Sequence, residues 1–434
     1  MTASDRDSML YPNANRAAED AATGEARGDA SGRVSRRLLL ASGATVGGVA
    51  SAGCLGTDGE SQVTERPTVF VFNTGDGTTS IVDVADDEVV ETRAVDLSAS
   101  FPSNQYAPAL TDDAAESLWL NVGRGVRALD VGSLSETASV GTESGANWLE
   151  RTPDGDHVVV SAREPSHTQY RIDADPGSDG FGDVTGELDR TSEGGRGSND
   201  GPGPCDVTVH PDGEYAYVPD IFADTLTVLR VDPFEVVTQV AVEPVGDGPA
   251  RPWMGTASAD GETLLVEHSE GATGTESIWD VSDPANPVET ARLTADDDLG
   301  KRPLTSEIGP DSETGYVFTP GSNDVTVVDL EGGSVSGRLD LGGSAFVGTW
   351  DPAHSKLYVP VQSEDEVAVV EHERGEVVDR LAVGPKPYGA TAAQVRPTSD
   401  PSAAMSVALA RLGMTAETAD TTYCIGNCAC GHQL

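Results

Sequence analysis

The last residues of the chain carry three cysteines and a histidine whose side chains could bind a metal ion. Cys424, Cys428 and His432 follow a Cys-x3-Cys-x3-His spacing, and Cys430 lies between the last two. Thiolate sulfur and imidazole nitrogen are ligands that suit Cu(I) and Zn²⁺. Because four ligands from one short segment can complete a tetrahedral shell, the sequence predicts a copper or zinc site at these four residues.

The same spacing resembles the ligand loop of the binuclear copper centres in oxidase subunits and nitrous oxide reductase. That resemblance implies copper binding and electron transfer. A binuclear centre needs further ligands, so a single ion is the favoured form here. Two other interpretations remain open. An exported chain could pair Cys424 with Cys428 or Cys430 in a disulfide, or it could keep a redox-active thiol.

The rest of the sequence contains no catalytic signature. It lacks a Gly-x-Ser-x-Gly motif, a His-Glu-x-x-His motif and a phosphate-binding loop. Cys205 lies in a β-rich stretch and is expected to be a small buried hydrophobic residue on its own. The sequence therefore favours a ligand- or protein-binding module without catalysis. The alternative is an exported metal-binding or electron-transfer protein.

The N-terminal region resembles an export signal. Arg36 and Arg37 precede a weakly apolar, Gly- and Ala-rich run to Gly53, as in a twin-arginine signal. The run ends at Ser51-Ala52-Gly53-Cys54, which resembles a lipobox and implies lipid modification of Cys54. Residues 1–53 are therefore expected to form an unstructured leader with a signal, and 54–67 a tether on the outer face of the cell membrane. An uncleaved signal anchor would attach the chain to the same membrane.

Between the two ends of the chain, one pattern of four strands repeats. Residues 203–243 contain four short β-branched or aromatic runs separated by turn residues. Four antiparallel strands in about 40 residues are typical of a propeller blade. The sequence thus predicts an all-β, seven-bladed β-propeller of four-stranded antiparallel blades over residues 68–397. When the second strands of the seven units are aligned, the equivalent positions are Phe70, Trp119, Val159, Tyr217, Leu265, Tyr316 and Tyr358.

These units resemble the YVTN family of β-propellers, which combine a Pro-Asp-Gly turn with a Tyr-Val-x-Asn strand end. The nearest matches are Phe70-Val71-Phe72-Asn73, Tyr217-Val218-Pro219-Asp220, Tyr316-Val317-Phe318-Thr319 and Tyr358-Val359-Pro360-Val361. The resemblance implies the architecture and little about chemistry, because propellers carry unrelated functions.

The first unit supplies only three strands, and residues 388–395 follow the seventh unit where another would begin. We expect this C-terminal strand to become the missing innermost strand, because closure removes the exposed edge of a sheet. Residues 177–203 are rich in Gly, Asp and Ser, and they predict a long surface loop without strands. Residues 398–434 should form a tail with a short helix over 402–412.

The propeller assignment also sorts side chains onto faces. Loops that lead into innermost strands share one face with loops between second and third strands, and Arg, Lys and aromatic residues collect there. Such groups suit an anionic, sugar-like or aromatic ligand, or a protein partner. In the alternative, the rings are inner-strand core and the arginines pair with nearby acids. The predicted ligand-binding residues are Tyr106, Arg124, Trp148, Arg163, His167, Arg251, Trp253, His268, Arg302 and Tyr388.

The charge composition excludes one class of partner. Asp and Glu total 72 against 27 Lys and Arg, which gives a formal net charge of −45. Such a surface repels nucleic acid, which binds to a basic face. The composition resembles that of haloarchaeal proteins, whose self-repulsion is screened because the Debye length falls to roughly 3 Å in 1 M salt.

Overall fold

The computed structural model describes residues 65–95, 117–122, 125–196, 201–400 and 402–412. Predicted functional residues outside these ranges are Arg36, Arg37, Cys54, Tyr106, Arg124, Cys424, Cys428, Cys430 and His432. The export signal, the lipid anchor and the tail metal site therefore remain predictions. Within the described ranges the chain forms seven antiparallel sheets, the blades of a β-propeller.

The first three blades contain strands β1 to β10. Their bounds are β1 (Glu65–Asn73), β2 (Thr78–Asp83), β3 (Glu88–Ala94), β4 (Ser117–Val122), β5 (Gly125–Asp130), β6 (Glu136–Gly141), β7 (Ala146–Arg151), β8 (His157–Ala162), β9 (Thr168–Asp173) and β10 (Val184–Asp189). Strands β4 to β6 form blade 2, and they are the three strands of that blade within the described residues.

Blades 4 and 5 each have four strands from one continuous segment. Their bounds are β11 (Thr208–Val209), β12 (Tyr215–Asp220), β13 (Thr225–Arg230), β14 (Glu235–Ala241), β15 (Pro252–Ala257), β16 (Thr263–His268), β17 (Thr275–Asp280) and β18 (Val288–Leu293). Short 3₁₀ helices at Thr191–Glu193 and Ala295–Asp297 precede blades 4 and 6.

Blades 6 and 7 complete the ring and are followed by one strand and one helix. Their bounds are β19 (Ser306–Ile308), β20 (Thr314–Thr319), β21 (Asp324–Asp329), β22 (Ser334–Asp340), β23 (Thr349–Trp350), β24 (Lys356–Val361), β25 (Glu366–Glu371), β26 (Glu376–Ala382), β27 (Pro387–Val395) and α1 (Ala403–Arg411).

The second strand of each blade is apolar on both faces because neighbouring blades pack against it from both sides. In β12, for example, every residue after Tyr215 is buried, whereas the outermost strand β22 alternates between exposed and half-buried residues. The seven positions aligned from the sequence, Phe70 to Tyr358, are each at most 1% exposed. The predicted repeat and its register are therefore confirmed.

Ring closure is also confirmed. Strand β27 pairs antiparallel with β1, with Val71 opposite Ala390 and Phe72 opposite Gly389. The sheet order β27-β1-β2-β3 makes β27 the innermost strand of blade 1. One C-terminal strand and three N-terminal strands thus share a blade, so that β1 has a partner on both sides.

The prediction of a strandless loop over residues 177–203 was wrong. Strand β10 lies inside this range and pairs with β9 as the outermost strand of blade 3. Its sequence is polar because an outermost strand faces solvent and needs no apolar run. The segment then returns to blade 4 through Arg190, whose guanidinium donates to both Asp220 carboxylate oxygens at 2.9 and 2.8 Å.

The short helix predicted over 402–412 is confirmed as α1. It packs against β3, and the Arg411 guanidinium lies 3.2 Å from the Asp76 carboxylate of blade 1. Among the described residues, no helix is long and apolar enough to cross a lipid bilayer.

The ring has a top face and a bottom face. The top face carries the loops that lead into the innermost strands, such as 242–251, and the loops between second and third strands, such as 221–224. The bottom face carries the turns between first and second strands, such as 210–214, and between third and fourth strands, such as 231–234.

Candidate functional site

Four innermost strands are approached through the same backbone step, a residue with positive φ followed by proline. These steps are Gly203-Pro204 (φ 75°), Arg251-Pro252 (50°), Arg302-Pro303 (61°) and Lys386-Pro387 (51°). The left-handed region favours glycine, and a side chain there costs on the order of 1 kcal/mol. Gly203 shows that glycine can serve in this step. Three blades therefore keep a basic residue at a conformational cost.

Hydrogen bonds fix the backbone of each of these basic residues. The Arg251 N–H donates to the Asp224 carboxylate at 2.7 Å, and the Lys386 N–H donates to the Asp365 carboxylate at 2.8 Å. The Arg302 N–H donates to a backbone carbonyl at 2.6 Å. The side chains of Arg302 and Lys386 are exposed, and that of Arg251 is half-buried. The fold thus holds cationic side chains at fixed points of the top face.

We call Arg251, Lys301, Arg302 and Lys386 the basic collar. Within the described part of the chain, Arg251, Lys301 and Lys386 form no ion pair. By contrast, Lys356 on blade 7 lies 2.5 Å from the Asp87 carboxylate. In a protein with 72 acidic and 27 basic residues, cations without an acidic partner are unexpected. Their positive charge is available to a ligand.

A cavity of about 200 Å³ opens between blades 5 and 6 on the same face. It unites three residues that the sequence predicted for ligand binding, Trp253, His268 and Arg302. Arg302 belongs to both the collar and the cavity. The lining residues are Trp253, His268, Ser269, Gly271, Ala272, Gly274 and Arg302.

His268 is fully buried and neutral. Burial, reinforced by the nearby Arg292 guanidinium, holds the pKa of its imidazole well below the usual value. Its Nε2 lies 2.7 Å from the Ser277 hydroxyl, which donates to the Val266 carbonyl and accepts from the Trp279 indole. Since the Ser277 proton is already used, Nε2 of His268 is assigned as the protonated nitrogen. The cavity wall therefore carries an uncharged imidazole.

The other predicted aromatic residues lie in the core of the ring. Trp148 and Tyr388 belong to one buried cluster that also contains Trp253, Phe346 and Cys205. Phe346 and Tyr388 stack with their ring centroids 5.0 Å apart. Trp148 is 2% exposed and Tyr388 3%. These rings fill the interior at the innermost strands, as the alternative interpretation of the sequence required.

Cys205 is buried, as predicted, but it is not on its own. The Asn147 amide and the Arg163 guanidinium donate to its sulfur at 3.3 and 3.5 Å. Burial raises the pKa of the thiol to about 11, so it stays protonated at neutral pH. Arg163 itself is fully buried, and its Nε lies 2.5 Å from the Glu164 carboxylate.

His167, another predicted ligand-binding residue, supports the loop before blade 4. Its imidazole is 2% exposed, and its Nδ1 accepts a hydrogen bond from the Gly203 N–H at 3.3 Å. The ring also meets Phe222 edge-on, with centroids 6.3 Å apart. Arg163 and His167 are therefore buried, whereas Arg302 and Lys386 are exposed.

A cluster of carboxyl groups was missed by the sequence reasoning. Asp206, Glu267 and Glu307 are at most 4% exposed, and Glu150 is half-buried. Glu150 and Glu267 each lie near Asp206 and Glu307. Burial, together with this mutual repulsion, raises the pKa of Glu150, Asp206 and Glu307 well above the usual range. In a chain with 72 acidic residues, residue type alone does not mark these four in advance.

The described residues hold no group of three or more His, Cys, Asp or Glu side chains arranged to bind a metal ion. This includes the carboxyl cluster. The Cys- and His-rich tail lies outside that range, so its predicted metal site is a separate question.

Comparison with known proteins supports the fold of this chain but assigns it to no family. No protein-family model matches the chain, and no curated protein matches it. Solved structures do match. A periplasmic gluconolactonase from Pseudomonas aeruginosa is 16% identical, with a TM-score of 0.58, over 76% of this chain and 99% of that one.

Two further solved structures give the same result. A functionally unknown protein from Desulfotomaculum acetoxidans is 14% identical over 76% of this chain and 100% of its own, with a TM-score of 0.58. A protein from Lactobacillus plantarum is 13% identical over 76% and 99%, with a TM-score of 0.59. At such low identity these likenesses show that the chain has the fold of a β-propeller, and nothing about its chemistry.

Proposed function

We propose that this β-propeller is a binding module that holds a small anionic ligand on its top face. The observation that carries the proposal is the basic collar. Three blades place an Arg or Lys in the same left-handed step before a proline, and Arg251 and Lys386 make no ion pair within the described chain. A carboxylate or phosphate oxygen accepts strong charge-assisted hydrogen bonds from such groups.

Because the whole chain is negatively charged, an anionic ligand must contact the cationic side chains directly in order to bind. A net charge of −45 repels an anion at long range, but salt screens this repulsion beyond about 8 Å at physiological ionic strength. An anion that reaches the top face then experiences mainly the cations it contacts. Affinity should therefore depend on individual side chains such as Arg302 and Lys386 rather than on the average surface potential.

The cavity beside the collar supports a small ligand or the anionic end of a larger one. Its volume of about 200 Å³ is below the 300–1,000 Å³ that is typical for drug-sized ligands. Trp253 offers an apolar wall, the neutral His268 a polar one, and Arg302 a cation at the rim. This combination favours a ligand with one acidic group and a compact body.

Export and lipid anchoring form part of the proposal and rest on the sequence. Arg36 and Arg37 followed by Cys54 would direct the chain to the outer face of the membrane and attach it there. The collar would then meet ligands outside the cell. A copper or zinc site at Cys424, Cys428, Cys430 and His432 remains the alternative source of function, and its test is given below.

Titration calorimetry with citrate and inorganic pyrophosphate as probes tests the proposed function. Lys386→Gln and Arg302→Gln should each weaken binding about tenfold, which corresponds to ~1.4 kcal/mol per contact. Arg374→Gln is the matched control, because Arg374 is exposed on the bottom face and pairs with Glu371 at 2.8 Å. Equal affinities for all three variants and the unmodified protein, or no binding of either probe, would contradict the proposal.

A further inference from the structure

Helix α1 is apolar on the side that points away from the propeller as well as on the side that packs against it. Ala403 and Val407 are buried on the inner side, where α1 meets β3. Met405, and Leu412 directly after the helix, lie on the opposite side. They are 66% and 71% exposed, the highest values of any large apolar side chain among the described residues. Because a surface helix normally has a polar outer side, this one is expected to have a partner.

The charge of this segment also differs from that of the rest of the chain. Residues 402–412 contain no Asp or Glu, although 72 of the 434 residues of the chain are acidic. The one charged residue, Arg411, is paired with Asp76 at 3.2 Å. Val90 on β3, the strand that α1 packs against, is a further exposed apolar side chain. The outer edge of blade 1 thus presents an uncharged apolar surface on an otherwise acidic protein.

The N-terminal approach to the propeller enters the same blade. Strand β1 begins at Glu65, and the sheet order β27-β1-β2-β3 places β3 two strands away from it. At about 4.8 Å between neighbouring strands, β1 and β3 lie roughly 10 Å apart. A membrane attachment before residue 65, through a lipid on Cys54 or an uncleaved signal anchor, would therefore hold blade 1 close to the bilayer. This continuity identifies the bilayer as the partner of α1.

The length of the connecting segment fits such a contact. Residues 55–64 reach at most about 35 Å when fully extended. Strands of six or seven residues make the blade roughly 20 Å high, and α1, with nine residues, is about 14 Å long. The tether therefore allows the outer edge of blade 1 to rest on the membrane. Repulsion between the acidic protein and anionic headgroups is screened in 1 M salt, where the Debye length is roughly 3 Å.

We propose that the outer side of α1 docks on the lipid bilayer to which the N-terminus is attached, an inference that rests on the anchoring in the proposed function. Met405 and Leu412 enter the boundary between headgroups and acyl chains, to a depth of about 5–10 Å. Since a single acyl chain binds a membrane only marginally, α1 supplies a second contact.

This contact sets the orientation of the propeller. Helix α1 packs on the outermost strand of blade 1, so the ring stands on its outer edge with blade 1 toward the membrane. Both ends of the channel then open to the aqueous phase. The collar on the top face stays accessible to a soluble anion while the protein remains bound to the membrane.

Methionine oxidation by chloramine-T, read by peptide mass spectrometry, tests the contact on the full chain in isolated membranes at molar salt. The protein carries Val288→Met, because Val288 on blade 5 is 59% exposed and provides an exposed methionine far along the ring in the same molecule. On membranes, Met405 should be oxidised about fivefold more slowly than the introduced methionine, since lipid excludes the oxidant. In the Cys54→Ser chain released from membranes, the two rates should be similar. Met254, which is 4% exposed, is the buried reference.

A substitution on α1 identifies the surface. Leu412→Gln should remove most of the protection of Met405 on membranes. Val245→Gln changes a valine that is 58% exposed on the loop before blade 5, and as the matched control it should leave the protection unchanged. Pyrophosphate affinity of Leu412→Gln should equal that of the unmodified protein, so the collar is tested separately.

The outcomes separate this inference from the proposed anchor. Equal oxidation of Met405 and the introduced methionine in membrane-bound protein would overturn the docking of α1 and leave the anchor intact. Protection of Met405 that persists in the released Cys54→Ser chain would also overturn it, because residues 413–434 or a second copy of the chain would then cover the helix. Recovery of the unmodified chain free of membranes would refute the anchor itself, and the docking with it.

Discussion

Replacement of Glu267 by glutamine should flatten the pH dependence of the protein's stability. Glu267 on β16 is fully buried and interacts with Glu276 on β17 and Glu307 on β19. Burial is the main cause that raises the pKa of Glu267 from 4.5 to about 8, while the Ser306 hydroxyl acts in the opposite direction. Neither Glu267 carboxyl oxygen makes a hydrogen bond of good geometry, so ionisation is poorly compensated.

The sign follows from proton linkage. A carboxyl with a higher pKa in the folded than in the unfolded state binds a proton on folding at any pH between the two values. Its contribution to stability is complete below about pH 4.5 and is lost as the pH rises through about 8. At ~1.4 kcal/mol per pH unit, the loss over this window is on the order of 5 kcal/mol. Glutamine cannot ionise, so Glu267→Gln should escape that loss.

Urea unfolding, followed by tryptophan fluorescence at pH 5, 7 and 9, measures the effect. The free energy of unfolding of Glu267→Gln should be close to that of the unmodified protein at pH 5 and higher by at least ~2 kcal/mol at pH 9. Glu313→Gln, an exposed carboxylate, controls for loss of one negative charge. If Glu267→Gln and the unmodified protein lose stability in parallel from pH 5 to pH 9, the buried carboxyl is not the cause of the pH dependence.

Four further predictions concern other parts of the chain. Arg190→Gln should lower the free energy of unfolding in urea by about 3–5 kcal/mol, because it leaves Asp220 buried without its bidentate partner. A loss no larger than that caused by Arg374→Gln, a change of an exposed arginine, would contradict this prediction. Deletion of 384–434 should lower the melting temperature far more than deletion of 398–434, since only the former removes β27; equal melting would argue against closure. Cys424→Ser and Cys428→Ser should each abolish the metal that the protein retains after dialysis, and Cys430→Ser should have a smaller effect. The ion should be released as the pH falls through the pKa range of histidine and the cysteine thiols, because the ligands must be deprotonated. Metal-free protein in which denaturing alkylation labels Cys205 but only one of the three tail cysteines would identify a disulfide instead. Arg36→Lys with Arg37→Lys should retain the precursor in the cytoplasm, and Cys54→Ser should free the processed protein from membranes; unchanged membrane fractionation of the latter would exclude the lipid anchor.

The fold could be predicted because its signals repeat and are local. Each second strand is an apolar run between turn residues, and aligning these runs placed Phe70 and Tyr358 at equivalent buried positions. Strand β10 escaped prediction because it is outermost and polar, with Gly186 and Asp189 in a six-residue strand. A hydrophobic periodicity arises where side chains are buried. A polar strand that faces solvent therefore gives little periodic signal in the sequence.

The chemistry of the site was less accessible from sequence. The Arg251-Pro252, Arg302-Pro303 and Lys386-Pro387 pairs are visible in the printed sequence, but the positive φ that makes them comparable with Gly203-Pro204 is not. Aromatic residues occur both where a ring stacks on a ligand and where it fills the core. The residue types of Trp148 and Tyr388 therefore do not distinguish the two roles. Only packing, such as the 5.0 Å stack of Phe346 on Tyr388, distinguishes these roles.

Buried carboxyls are the hardest case, because an acid-rich chain hides them among solvated ones. Glu267 follows Leu264-Leu265-Val266 in an apolar strand, and this local contrast is the single signal that could have marked it. The approach of Glu150 to Glu307 cannot be derived from local sequence at all. It arises where the ends of innermost strands from different blades meet, and these strands are far apart along the chain.

The basic collar and the carboxyl groups of Glu150 and Glu307 lie toward opposite ends of the channel, and their separation makes them independent. The innermost strand β15 leads from Arg251 on the top face to Ser258 on the bottom face and has six residues. At about 3.3 Å per residue it spans roughly 20 Å. That distance exceeds the Debye length of ~8 Å at physiological ionic strength by more than a factor of two. An anion at the collar should thus leave the ionisation of Glu307 unchanged, and a charge change at one end should act on that end alone.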